Sequence, residues 1–183
     1  MTETLHRPVL VSRDRHNLAA DALLCAALIF LAAMLVQQGI AYLSRREYSR
    51  QELSRRLEDA GYEPEAIDSA LDRLVSEGWQ DDARFAQAVA RMRANSGYGP
   101  LRIRQELGNH KIGESLTQQA MDPFADRWCE IAAEWVVRRY GSGREFREDL
   151  NARRKAADFL LRRGFDHGTM RTALEIAESA SAT

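Results

Sequence analysis

The chain has 183 residues, 29% charged and 45% hydrophobic, with 26 basic against 27 acidic side chains and a formal charge of −1. That is ordinary for a soluble globular protein. It excludes a uniformly basic nucleic-acid coat while leaving room for local basic faces. Cys25 and Cys129 are far apart and lack a C-x-x-C neighbour, which speaks against a disulfide framework and for a reducing compartment. His6, His16, His110 and His167 show no metal-ligand spacing. Lys111 and Lys155 are the only lysines; every other basic residue is Arg. The planar guanidinium suits phosphate and carboxylate, although a GC-rich coding sequence would give the same bias.

Residues 1–17 carry Pro8 and scattered charges without a period, as expected of an irregular terminus. Residues 22–36 are uncharged and apolar on every side. Arg7, Arg13 and Arg15 upstream give them a signal-peptide look, but no A-x-A cleavage pattern follows. The run is short of the roughly 18–20 residues that span a bilayer, and Asp21 flanks it. A packed first helix running to about Arg46 is the favoured reading, with a membrane anchor as its rival.

Residues 49–79 are the stretch around which the chain is organised. Ser49 and Glu52 have capping-box spacing. Leu53 and Leu57 share a helix face. Gly61 is placed to leave the helix in a left-handed conformation, and Pro64 sits at a first helical position. Ile67, Ala70, Leu71, Leu74 and Val75 form the next stripe. The stretch recurs. With Tyr62, Ile112 and Phe165 as anchors, 50 and 53 residues apart, Ala70, Ala120 and Ala173 lie at one common offset. Gly61, Lys111 and Gly164 lie at a second, and Leu57, Leu107 and Leu160 at a third. Such a period points to a repeat architecture.

Asp81 and Asp82 read as helix-start carboxylates, not as an acid–base pair. The helix they open is expected to run to about Asn95 and to bury Phe85, Val89 and Met92. Gly97-Tyr98-Gly99-Pro100 interrupts the pattern, and Pro100 starts a helix with Leu101 and Leu107 inward. Tyr98 is either a residue packed over a turn or an aromatic contact beside Arg91, Arg93, Arg102 and Arg104. A short helix over residues 114–121 closes the second unit. Pro123 opens a helix carrying Phe124, Trp128, Ile131, Trp135 and Val136 at core spacing. Residues 144–163 form the most basic stretch, read as a solvated helix face, and a last helix ends near Ser179.

No strand pattern of alternating β-branched residues appears. The chain therefore reads as all-α, with nine helices in three helix-turn-helix-like units. Each is too small to hold a strong core alone, so consecutive units should stack. The boundaries read as an irregular terminus over 1–17 and units over 18–79, 80–121 and 122–183.

Several segments resemble the RecX family, bacterial regulators of the RecA recombinase. They are Arg45-Arg46-Glu47-Tyr48-Ser49, Gly78-Trp79-Gln80-Asp81-Asp82-Ala83-Arg84-Phe85-Ala86, Gly97-Tyr98-Gly99-Pro100-Leu101-Arg102-Ile103 with Glu106-Leu107, and Arg153-Arg154-Lys155 with Arg163-Gly164-Phe165. The resemblance covers roughly residues 40–177; residues 1–39 depart from the family's polar lead-in. It implies three tandem three-helix repeats in an elongated, slightly curved solenoid. Separately, a cytoplasmic monomer without cofactor or membrane is expected. The resemblance also implies a non-enzymatic protein that binds the RecA nucleoprotein filament. There it would inhibit strand exchange, ATP hydrolysis and coprotease activity. Arg46, Arg50, Arg91, Arg93, Tyr98, Arg102, Arg153 and Arg154 are the candidate contacts to acidic RecA side chains or to single- or double-stranded DNA. The alternative is a helix-turn-helix regulator acting directly on DNA, although no helix arranges Asn, Gln and Arg for base edges. No phosphate-binding loop, nucleophile elbow or metal cluster suggests an enzyme.

Overall fold

A computed structural model describes residues 14–180, and all regular structure among them is helical. The first unit holds α1 (Asp14–Leu43), α2 (Arg50–Asp59) and α3 (Pro64–Ser76). The second holds α4 (Asp82–Asn95), α5 (Pro100–Asn109) and α6 (Glu114–Met121). A 3-10 turn over Asp122–Arg127 leads into the third, made of α7 (Trp128–Tyr140), α8 (Gly143–Glu148), α9 (Leu150–Arg162) and α10 (His167–Ser179).

The third unit departs from the simple three-helix plan. Pro123 opens the 3-10 turn, not an α-helix. The basic stretch is two helices, because the Asp149 carboxylate accepts from the N–H groups of Asn151 and Ala152, 2.9 Å each, and starts α9 afresh. The extra helix, α8, brings Phe146 into the core.

At the other end, residues 14–17 are the first turn of α1, not irregular chain. Residues 1–13 and 181–183 lie outside the described residues. The C-terminal part of α1 is anchored in the first unit. Leu35 and Val36 are buried in the first core, while Ile29, Phe30 and Met34 face outward, Phe30 at 68% exposure. Within the apolar run expected to form a packed helix, Leu35 and Val36 meet that expectation and Ile29, Phe30 and Met34 do not.

Each unit has its own core. Leu35, Leu53, Leu57, Ile67, Leu71 and Leu74 fill the first, and Phe85, Val89, Ile103, Leu107, Ile112 and Met121 the second. Ile131, Val136, Phe146, Phe159, Leu160 and Phe165 fill the third. The accessible surface is 12721 Å², against about 8,900 Å² for a compact monomer of this mass.

The repeat is written into the backbone. The N–H groups of Tyr62, Ile112 and Phe165 donate to the carbonyls of Leu57, Leu107 and Leu160 at 3.3, 3.1 and 3.1 Å. The residues before the anchors, Gly61, Lys111 and Gly164, all have positive φ: 88°, 58° and 86°. A left-handed conformation costs a residue with a Cβ about 1–2 kcal/mol. Lys111→Gly is therefore expected to stabilise the protein by about 1 kcal/mol, read as a raised urea midpoint with unchanged slope.

Three stripe positions turn outward. Val75, Met92 and Leu101 are exposed, because Leu71 and Leu74, Ala90 and Ala94, and Ile103 and Leu107 take the inward directions. Ser49 caps α2 by accepting the Glu52 N–H at 3.1 Å. Glu52 does not close the capping box; its carboxylate pairs with Arg46.

Candidate functional site

The eight sequence candidates separate into two groups by what their side chains touch. Arg46 pairs with Glu52 and lies 3.7 Å from the Tyr48 ring centre. Hydrogen bonding to Glu52 raises its pKa above the ordinary value. Arg50 reaches Asp72 at 2.8 Å and Asp68 at 3.4 Å. Arg93 makes two parallel bonds to Glu106, 2.7 and 2.8 Å, which tie α4 to α5 and raise its pKa. Arg153 meets Glu178 at 2.7 Å, joining α9 to α10. The charge of each of these four guanidinium groups is met by a carboxylate of the same chain. Arg91 and Arg154 are exposed and carry no salt bridge among the described residues. Arg102 is exposed and donates to Gln105 at 3.0 Å.

Tyr98 is half-buried, and its surroundings show what the Gly-Tyr-Gly-Pro segment does. It sits at the seam between the second and third units. Gly99 N–H donates to Arg163 O at 2.8 Å, and Leu101 N–H donates to Gly164 O at 3.0 Å. A Cβ on Gly99 would lie 2.4 Å from Gly164 O, and one on Gly97 2.5 Å from the Trp135 ring. Glycine is needed because backbone passes against backbone and ring. The Arg163 guanidinium lies 4.5 Å from the Tyr98 ring centre, 4.9 Å from Phe159 and 5.3 Å from Trp135. It also donates to Ser96 O. Tyr98 thus serves as one wall of an aromatic clamp on Arg163.

Around this clamp the structure gathers arginines that sequence reasoning missed. Arg138 lies 5.0 Å from Trp135, and Arg139 lies 5.3 Å from Phe159 and 5.9 Å from Tyr140. With Arg93, Arg102 and Arg163 they make the seam basic. Of these five, Arg93 alone has a salt bridge among the described residues. Part of the signal was legible: Trp135 and Arg138 are three apart and therefore share a helix face. The approach of Arg163 to Tyr98 depends on tertiary structure. Among the described residues, no group of His, Cys, Asp and Glu could hold a metal ion. Nor is any helix among them long and apolar enough to cross a membrane.

Family models for the first, second and third three-helix domains of RecX match residues 37–74, 81–121 and 125–174. The chain belongs to the RecX family. It is 52% identical over 138 residues to the regulatory protein RecX of Xanthomonas oryzae pv. oryzae (strain MAFF 311018), covering 75% of this chain and 85% of that protein. It is 48% identical over the same length to the regulatory protein RecX of Stenotrophomonas maltophilia (strain K279a), covering 75% and 83%. Two solved structures share the fold at 20% identity. A crystal structure of regulatory protein RecX superposes with a TM-score of 0.70 over 93% of this chain and 83% of that one. RecX from Lactobacillus salivarius superposes with 0.67 over 80% and 96%. The apolar part of α1 before Gln37 lies outside the first RecX domain match.

Proposed function

We propose that the chain regulates the RecA recombinase by binding along the RecA–DNA filament and inhibiting its strand exchange, ATP hydrolysis and coprotease activity. The observation that carries this reading is the run of three RecX domains with basic side chains gathered at the seam of the second and third. Units stacked in a row present a long face instead of a pocket. A filament lined by protein and phosphate is a partner of matching form. Arg91, Arg102 and Arg154, with Arg138 and Arg139, are the proposed contacts to acidic side chains or DNA phosphate. Arg46, Arg50, Arg93, Tyr98 and Arg153, each engaged with other side chains of the chain, border those faces.

The test is RecA-catalysed, single-stranded-DNA-dependent ATP hydrolysis titrated with this protein. Inhibition at substoichiometric ratios is expected; a flat titration rejects the reading. Affinity for the filament should fall as salt rises, and replacing Arg91, Arg102 and Arg154 together by Ala should flatten that dependence. Salt-independent affinity would remove the electrostatic part of the proposal. Sequence-specific duplex binding without RecA would instead favour the direct DNA-binding regulator.

A further inference from the structure

The two seams between units are built differently. The second and third units are joined by continuous helix: α6, the 3-10 turn and α7 follow without a break from Glu114 to Tyr140. Their cores are also shared. Ala94 of α4 belongs to the third core, and Phe124 and Trp128 pack on both. Two backbone hydrogen bonds cross this seam, and the glycines there sit in contact with ring and backbone.

The seam between the first and second units has none of these. Their cores share no residue. Among the described residues, no backbone-to-backbone hydrogen bond joins α1, α2 or α3 to α4, α5 or α6. The connection runs through Gly78, whose φ is +74° and around which a Cβ would meet nothing within 4 Å. Side chains hold the seam. Gln80 donates to Tyr48 O at 3.2 Å and to Asp82 Oδ1 at 2.8 Å. Arg50 N–H donates to the same Asp82 oxygen at 2.9 Å. Ser49 Oγ lies 2.9 Å from His110 Nδ1, and Arg84 meets Glu47 at 3.1 Å. The other Glu47 oxygen, Oε2, is buried and has no hydrogen-bond partner among the described residues. Two hollows, of about 380 and 360 Å³, flank the Arg50–Asp82 contact. An unmet carboxylate oxygen, open space and exchangeable polar contacts are what a joint with more than one arrangement requires.

We infer that the second and third units move as one rigid block, and that the first unit pivots against them on the polar seam about Gly78. Such a pivot lets one rod-like chain adjust its curvature to the surface it lies on without disturbing any hydrophobic core.

The test uses paired spin labels on the full chain with Cys25→Ser and Cys129→Ala. Labels replace the exposed residues Ser69 and Ala88 to span the first seam, or Ala88 and Glu175 to span the second. The distance distribution across the first seam should be at least twice as broad as that across the second. Gln80→Ala, which removes the bridge between Tyr48 and Asp82, should broaden the first and leave the second unchanged. Equal widths, or a Gln80→Ala chain indistinguishable from its parent, would overturn the inference.

Discussion

Gly164→Ala is expected to destabilise the protein by on the order of 3–5 kcal/mol, and Gly61→Ala by about 1–2 kcal/mol. The two glycines occupy the same place in the repeat and have nearly the same backbone, φ 86° and 88°. The left-handed strain of an added Cβ is therefore nearly common to both. What differs is the surroundings. A Cβ at Gly61 meets nothing within 4 Å, whereas one at Gly164 would lie 2.5 Å from Arg102 N and 2.6 Å from Arg102 Cβ. The clash involves backbone, so no side-chain rotation relieves it, and overpacking of this kind costs about 1–3 kcal/mol. Parting the chains also weakens the bonds from Gly99 and Leu101, at about 1 kcal/mol each. Urea unfolding of the two variants beside the parent measures the difference. An equal loss at both sites would mean that the seam contributes nothing and that strain alone is being read.

The contrast between these glycines also marks how far the sequence can be read. The repeat register was legible because it is local: a helix ends, a left-handed residue follows, and an apolar side chain folds back. Leu57, Leu107 and Leu160 are all fully buried, and each accepts the bond from its anchor. Asp81 as a cap was legible for the same reason, accepting the Ala83 N–H at 2.7 Å. Face assignments were less secure where alanines compete with larger residues. α4 buries Ala86, Ala90 and Ala94, so its inward arc passes Met92 by. The split between α8 and α9 depended on one capping carboxylate inside a run of charges. The candidate site was the least legible. Arginine can bind a partner or hold a fold, and periodicity does not distinguish these. Glu106 lies 13 positions from Arg93 and Glu178 lies 25 from Arg153; only the packed units bring each pair together.

Trp128→Ala is expected to cost about 3 kcal/mol, the low end for removing a large aromatic, because the side chain is half-buried. The more telling effect is on cooperativity. Trp128 stands at the start of α7, with ring centres 5.6 Å from Phe124 and 6.5 Å from Phe165, and it packs on the second and third cores alike. A tandem array melts as one body only while the interface between neighbours is worth more than their difference in stability. Removing the shared ring leaves Phe124, Ala94 and the Gly99–Arg163, Leu101–Gly164 and Arg163–Ser96 bonds to carry that coupling. Calorimetry should therefore resolve the single transition of the second and third units into two, with a van't Hoff enthalpy well below the calorimetric one. Trp79→Ala is the control: this side chain is 48% exposed beside the first seam, and its loss should change stability by less than about 0.5 kcal/mol. If Trp128→Ala melted in one sharp transition with a loss no greater than that of Trp79→Ala, the two cores would not be coupled through this residue.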